Sequence, residues 1–257
     1  MKTLAIAIQK GGQGKSMLCA SLAWYAAEAG LRALVVDLDG SGNVSRNLHA
    51  TYDAESAPSV SFFVDQHPTP QPVPLPSSIK GSIALFSGDR RLTVVDESAD
   101  MDLQAVGKQL QHYVADFDVC FIDTPPTLGK RLRAALVASD FVVMPFVPAR
   151  ESVDGLGDLL DTIEQVKHDK NPNLQVVGLL ANKVNSRSHG EQKILQDIRA
   201  LAPGLLMSLS INERTSISGA MGVSKPVWRS MVGESHRLAA KEVHTACKHI
   251  IKSMLKK

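Results

Sequence analysis

Seven consecutive residues near the start of the chain, Lys10-Gly11-Gly12-Gln13-Gly14-Lys15-Ser16, have the types and spacing to hold phosphate. Glycines let backbone N–H groups curl around phosphate oxygens without a Cβ in the way. Lys15 can neutralise β- and γ-phosphate charge, and the Ser16 hydroxyl is placed to ligate Mg²⁺. A helix beginning here would add the favourable end of its dipole. Further on, the apolar run Val119-Cys120-Phe121-Ile122 ends in Asp123. A carboxylate at the carboxyl end of a buried strand lies beside such a loop; the plainer role for Asp123 is a helix N-cap.

The loop needs a strand before it and a helix after it, and the sequence supplies both. Residues 2–9 read as a short buried strand. Residues 15–29 carry Leu18, Leu22, Tyr25, Ala26 and Ala29 at helical spacing, with Gly30 as C-cap. Leu34-Val35-Val36 then gives a second buried strand, completing a βαβ unit. Beyond it, strands are expected at 83–86, 119–123, 141–144, 174–181 and 205–209. Helices are expected at 100–114, 128–138, 151–168, 190–201, 215–222 and 234–255. Continuous apolar strands alternating with amphipathic helices predict an α/β fold. Its mostly parallel, twisted sheet carries helices on both faces, in a single domain over 1–257. Six prolines between 58 and 76 mark a Pro-rich surface excursion at about 58–78, read as a linker or a partner-docking loop.

The chain has 257 residues, 44% hydrophobic and 21% charged, which suits a sizeable core and excludes a wholly disordered chain. No apolar run approaches the roughly 18 residues of a membrane span, and the apolar N-terminus is too short for a signal peptide. Cys19, Cys120 and Cys247 are far apart and in no metal spacing, so they read as small buried hydrophobes in a reducing compartment. The net charge of +2 conceals an asymmetry. Residues 183–257 hold 13 Lys and Arg against 5 Asp and Glu, whereas residues 1–182 hold 15 against 21. A basic C-terminal third on an acidic body suggests a polyanion-binding face; solvated basic helix faces are the bland alternative.

The loop departs from the general P-loop, G-x-x-x-x-G-K-[ST], because Lys10 replaces the first glycine. K-G-G-x-G-K-S is the deviant Walker A pattern, and with it the sequence resembles the ParA/MinD family of P-loop ATPases. Asp37-Leu38-Asp39-Gly40-Ser41-Gly42-Asn43 is similar to the family's switch I segment, D-L-D-P-Q-G-N. Phe117–Pro126 is similar to its Walker B strand, F-D-hhh-I-D-T-P-P. The resemblance is dense over 1–50 and 115–160 and weaker to about 230. Within the family the chain looks closest to small plasmid-partition ParA proteins of the IncC type. Because the chain begins at the first strand, the N-terminal helix-turn-helix extension of larger ParA proteins is not expected.

The resemblance implies roles residue by residue. Lys10 would reach the other subunit's phosphates in an ATP-dependent sandwich homodimer. Gly11, Gly12, Gln13, Gly14, Lys15, Ser16 and Met17 would contact the nucleotide. Asp123 would act on Mg²⁺, together with Ser16. Asp39 would position the attacking water and lie at the metal, with Asp37 a structural or outer magnesium contact. Asn182 falls where relatives read adenine; a turn residue is the alternative. Gly40-Ser41 replace the family's Pro-Gln, and Met17 replaces a threonine, which puts the basal hydrolysis rate and one hydroxyl contact in question. The cofactors implied are ATP and Mg²⁺.

The resemblance also implies nonspecific DNA binding through the basic C-terminal region. Its candidates are Arg187, Lys193, Arg199, Arg214, Lys225 and Arg229, with Lys183 nearby. A ParB-like centromere-binding partner would trigger slow hydrolysis and release, giving a cytoplasmic, nucleoid-associated partition ATPase. Two other readings compete. One is a MinD-like ATPase that uses the stripe Val243, Ala246, Cys247, Ile250, Ile251, Met254 and Leu255 on a membrane surface; the same stripe fits a helix packed on the sheet. The other is a nucleotide-gated scaffold with little hydrolysis. Cluster-ligand cysteines are missing, which disfavours an iron-protein reductase, and Lys10 disfavours a small-molecule kinase.

Overall fold

Short apolar runs without polar alternation settle only where both faces of a sheet are covered. In this chain they form the centre of the molecule. The computed structural model describes residues 1–49, 53, 55–64, 66–229 and 233–256, with the backbone alone at 151–154. Its strands are β1 (Lys2–Ile6), β2 (Arg32–Asp37), β3 (Gln71–Pro72), β4 (Ser82–Phe86), β5 (Val119–Asp123), β6 (Phe141–Phe146), β7 (Gln175–Val184) and β8 (Leu206–Asn212). They lie in the order β3-β4-β2-β5-β1-β6-β7-β8, all parallel except the antiparallel edge pair β3–β4.

The helices are α1 (Lys15–Glu28), α2 (Asn43–Leu48), α3 (Leu92–Glu97), α4 (Ala105–Gln111), α5 (Lys130–Val137), α6 (Arg150–Asp169), α7 (His189–Leu201), α8 (Thr215–Gly222) and α9 (Gly233–Leu255). Side chains alternate across the sheet and build a core on each face. Leu4, Ile6, Val35 and Phe121 pack against α1, α8 and α9. Ala5, Val142 and Met144 pack against α5, α6 and α7, and Leu34, Val36 and Ile122 against α4 and α5. The expected α/β architecture is thus what the chain adopts.

The register decides where chemistry can happen. Ile6 is level with Asp123 on β5, and Asp123 is level with Asp37 on β2. Three strands therefore end together at one edge, where the chain turns from β1 into the glycine loop. β1 feeds β2 on one side while β6, β7 and β8 build outward on the other. That reversal opens a crevice at the carboxyl ends of the strands.

Several expectations need correction. β1 stops at Ile6, not residue 9, because the chain must curl into the loop. The helix expected over 100–114 is α4, 105–111, with Asp102 Oδ1 accepting from Gln104 N just before it (2.9 Å). β7 and β8 run three residues past the expected strand ends. α2 and α3 were not expected; both are six residues long and are held by tertiary contacts. The Pro-rich stretch runs over the sheet edge and is anchored there, with residue 65 outside the described residues. Phe62 is buried edge-on against Phe86 at 4.9 Å, Val73 is buried, and β3 pairs with β4 from the edge, where proline is tolerated.

The apolar stripe of α9 lies in the core. Val243, Ala246, Cys247 and Ile250 are fully buried, against α1 and the sheet. Among the described residues no helix is long and apolar enough to cross a membrane. Replacing Ile250 with Ala is expected to cost about 2–5 kcal/mol in urea unfolding. A helix held on a membrane surface would leave that free energy unchanged.

Candidate functional site

The glycine loop is shaped by backbone that only glycine adopts easily, with Gly12 at φ +76° and Gly14 at φ +96°. At Gly14 space forbids a side chain as well: a Cβ would lie 2.1 Å from Asn182 Nδ2. The loop is braced from behind. Gln13, a variable position in the motif, is buried, and its Oε1 accepts from Val147 N after β6 (2.7 Å). Asn182 Nδ2 donates to Gln13 O (2.8 Å). The Thr124 hydroxyl donates to Ile6 O (2.8 Å), tying the end of β5 to the end of β1.

Lys15 and Ser16 open α1 and bring their side chains to the ends of β5 and β2. Lys15 is buried; burial pulls its ammonium below the usual lysine value, against the opposing pull of Asp123 and Asp39. Asp123 is fully buried, and among the described residues neither carboxylate oxygen has a hydrogen-bond partner of good geometry. Burial first, then the charge of Asp37, push it well above the carboxylate range; Ser16 and Lys15 oppose this. A buried polar group without a partner costs about 1–3 kcal/mol, more when charged. This one lies where a cation would satisfy it.

Asp37 and Asp39 have different surroundings. Asp37 is fully buried and accepts from Asp39 N (3.1 Å), Ser45 N (3.1 Å) and Ser45 Oγ (2.7 Å). Burial raises it to about 7 despite those bonds. It is the anchor of the segment and of α2. Asp39 is half-buried, accepts from Ser41 N (2.9 Å) and lines the cleft. Gly40 and Ser41, the departures from the family pattern, lie in the same turn.

The cleft over the loop has a volume of about 1020 Å³, enough for a nucleotide. Gly11, Gly12, Gly14, Lys15, Ser16, Met17, Asp39 and Asn182 line it, so the structure brings most of the expected nucleotide contacts together. Lys10 is exposed at its lip. Gln13 differs from its expected role, because its side chain points into the protein as a brace. Asn182 commits one amide hydrogen to the loop, while its Oδ1 is buried without a partner.

The opposite wall went unnamed in the sequence. Asn212, Glu213, Thr215 and Ser218, between β8 and α8, face the loop across the cleft. Glu242 of α9 holds this wall. It accepts from Asn212 N and Nδ2 (both 2.9 Å) and from Arg214 Nη2 (3.0 Å). The consecutive polar run Asn212-Glu213-Arg214-Thr215 was the available signal.

Several of the basic candidates are already ion-paired. Arg214 is paired with Glu242, Arg229 with Glu28, and Lys193 with Asp197 at 2.8 Å. Arg187 and Arg214 border one small pocket beside the cleft. Arg199 borders a neighbouring pocket that shares Val184, Ser186 and Asn212 with the first. Lys225 is exposed after α8.

A phosphate loop at the switch point of a parallel sheet, facing a buried carboxylate, defines a P-loop nucleoside triphosphatase. The family described as "AAA domain" (AAA_31) matches residues 1–176. The chain is 34% identical to Protein IncC of Escherichia coli over 259 residues, covering 99% of this chain and 70% of that protein. It is 26% identical to the chromosome partitioning protein ParA of Myxococcus xanthus, covering 88% of this chain and 80% of that one. Among solved structures, cobyrinic acid a,c-diamide synthase of Mycobacterium smegmatis with bound ADP and magnesium matches at TM-score 0.79 and 25% identity, covering 98% and 94% of the two chains. The activity in that name is that protein's own. The chain belongs to the ParA/MinD-type ATPases of the AAA_31 family.

Its cofactors are ATP and Mg²⁺. The residues fit them: Gly14 leaves no room for a Cβ at the phosphate cradle, and Asp123 is an orphaned carboxylate beside Ser16. Among the described residues no cluster of three or more His, Cys, Asp or Glu forms a metal cage. Mg²⁺ typically takes one or two carboxylates plus substrate phosphates, and Asp123 with the Ser16 hydroxyl offers such a set.

Two outcomes are expected. Gly14→Ala weakens ATP binding by at least about tenfold in calorimetry, because the new methyl meets Asn182. Without nucleotide or metal, stability falls as pH rises from about 4 to about 7. Asp37 holds its proton more tightly folded than unfolded, so its contribution is present below its unfolded value, 3.8, and is lost as pH passes about 7. Asp37→Asn removes that part of the slope in urea unfolding.

Proposed function

We propose that this protein is a DNA-partitioning ATPase whose ATP-bound homodimer binds DNA without sequence preference. A ParB-like partner would stimulate hydrolysis and release. The observation that carries the reading is the division of lysines at one cleft. Lys15 is buried beside the carboxylates and serves its own subunit's phosphates, whereas Lys10 is exposed at the lip, where a second subunit's phosphates can be met. Two triphosphates facing each other need such cations in trans.

The steps assigned to this chain are few. The loop amides and Lys15 hold the β- and γ-phosphates. Mg²⁺, when bound, would be held by Ser16 and Asp123 and would neutralise phosphate charge. Asp39, on a turn fixed by Asp37, orients the attacking water. Gly40 and Ser41 leave that turn looser than Pro-Gln would, so hydrolysis is slow until a partner orders it. The relative named as a chromosome partitioning protein supports the cellular role. The protein would then reside in the cytoplasm on the nucleoid.

For DNA, Arg187, Arg199 and Lys225 are the primary phosphate contacts. They are exposed, and no described carboxylate pairs with them. Lys193, Arg214 and Arg229 must leave an acidic partner first, so their contributions are smaller. In a dimer these residues double. With about 6–10 phosphate contacts, affinity falls by roughly 10³–10⁵ between 50 and 200 mM salt.

The test is a mobility-shift titration with ATP, ADP or no nucleotide at two salt concentrations. Binding that requires ATP, ignores sequence and disappears in Lys10→Ala supports the reading. Arg187→Ala weakens binding and lowers the salt slope by about two contacts, one from each subunit, while Arg229→Ala does less. Binding indifferent to nucleotide overturns it.

A further inference from the structure

Among the described non-glycine residues only Lys183 and Ser224 have left-handed backbone, each at φ +51°. Lys183 lines the nucleotide cleft, and Ser224 stands just beyond Gly222, the last α8 residue of its lining. At Ser224 this conformation closes α8: Ser224 N donates to Met221 O (3.1 Å) and Lys225 N to Ala220 O (3.2 Å). Glycine is the usual residue at such a helix end, because a Cβ there costs free energy. Serine makes one contact that glycine could not. Its hydroxyl donates to Arg46 O (3.0 Å), 178 residues away in sequence.

Arg46 belongs to the last turn of α2, and the final carbonyls of a helix have no partner within it. The Ser224 hydroxyl takes that place. The side chain of Arg46 reaches the other way, and its Nη2 donates to Ser41 O (2.5 Å) and Asn43 Oδ1 (2.8 Å). Asn43 Nδ2 donates to Ser41 Oγ (2.8 Å), and Ser41 N to Asp39 Oδ1 (2.9 Å). Arg46 therefore joins the turn that carries Asp39 to the end of α8. Asp39, Ser41 and Asn43 line the nucleotide cleft on the α2 side, and Ile217, Ser218 and Met221 line it on the α8 side.

Lys225 follows Ser224 directly and is exposed, whereas Pro226 and Val227 are buried. Beyond them the segment is fastened to α1: Trp228 Nε1 donates to Glu28 Oε2 (2.8 Å) and Arg229 Nε to Glu28 Oε1 (2.5 Å). Lys225 thus lies between two attachments of different kinds. Glu28 ends a helix packed in the core, and Arg46 follows a turn that lines the nucleotide cleft. A ligand that meets Ser41 or Asn43 acts on Arg46, and the Ser224 hydroxyl carries that action to Lys225. Because α8 faces the same ligand, the hydroxyl makes the two walls of the cleft move together at this end.

We propose that Ser224 is a positioning residue: its hydroxyl clasps α2 to the end of α8 and ties the placement of Lys225, and so part of the affinity for DNA, to the nucleotide in the cleft. The inference rests on the DNA-binding reading above and adds a route to it. Dimerisation doubles the basic residues but does not set where any one of them points. A nucleotide changes that placement only if it contacts the two arrangements differently, and the clasp supplies the difference. The strained backbone at Ser224 is then accounted for by its hydroxyl.

The experiment measures the affinity of the full chain for a dye-labelled DNA duplex by anisotropy, with Mg²⁺ and a non-hydrolysable ATP analogue or without nucleotide, so that turnover does not enter. The readout is the ratio of the two affinities. Ser224→Gly suits the backbone of the turn and removes the hydroxyl. Its ratio should fall at least about fivefold below that of wild type. Arg46→Ala cuts the same route one step earlier, so combining it with Ser224→Gly should add little. In wild type, Lys225→Ala should cost more affinity with the analogue than without it. In Ser224→Gly it should cost the same in both conditions. Analogue-driven dimerisation, followed by sedimentation, should be unchanged in Ser224→Gly.

A wild-type ratio in Ser224→Gly, where wild-type DNA binding does follow the analogue, overturns the clasp and leaves the DNA-binding reading standing. Additive losses in the double variant, or a Lys225→Ala effect that still depends on nucleotide in Ser224→Gly, overturn the route. If Ser224→Gly abolishes dimerisation, Ser224 acts at the subunit interface and the inference falls. Wild-type DNA binding that ignores the analogue defeats the DNA-binding reading, and the clasp falls with it.

Discussion

Everything at the working edge of this sheet depends on one costly arrangement: a fully buried carboxylate, Asp123, with no hydrogen bond of good geometry among the described residues. The sheet places it there by register, level with Ile6 and Asp37, and the neighbouring Asp37 makes its ionisation harder still. Such a group is tolerated when a cation arrives to share its charge. Lys15 supplies part of that charge but is itself depressed by burial. Burial thus favours the protonated Asp123 carboxyl and disfavours the Lys15 ammonium in the empty site, and the magnesium complex of a triphosphate favours the charged form of both.

Around that site the chain spends its polar side chains on rigidity. Gln13 and Asn182 fasten the phosphate loop to β6 and β7, and Thr124 fastens the end of β1 that leads into it to β5. Asp37 fastens the turn that carries Asp39, and Glu242 fastens the opposite wall. Each brace comes from a different part of the sequence, so the cleft is shaped by the whole fold. The turn that carries Asp39 is also held from its far side, where Asp96 grips Arg131 and Arg131 Nη1 donates to Leu38 O.

The parallel sheet was legible because its strands are apolar on both sides, a pattern no surface strand can carry. The loop was legible because phosphate chemistry dictates glycine, lysine and serine at fixed spacing. α2 and α3 were not legible. Leu92-Thr93-Val94-Val95 favours a strand by propensity, and the burial of Leu92 and Val95 with Asp96 gripping Arg131 across the fold holds it helical. The bracing role of Gln13 was hidden for the same reason, since its partner Val147 is 134 residues away. Charge counting found the basic third correctly but not its ion pairs, because Glu28 and Glu242 come from helices remote in sequence from Arg229 and Arg214.

The most direct test of the central claim counts protons. Mg²⁺-dependent ATP binding is measured by calorimetry near pH 7 in buffers of different ionisation enthalpy, for wild type and Asp123→Asn. If Asp123 is held protonated by burial until a cation arrives, wild type releases more protons on binding than the variant does. Equal proton release in the two proteins, with Mg²⁺ dependence intact in Asp123→Asn, would contradict the account.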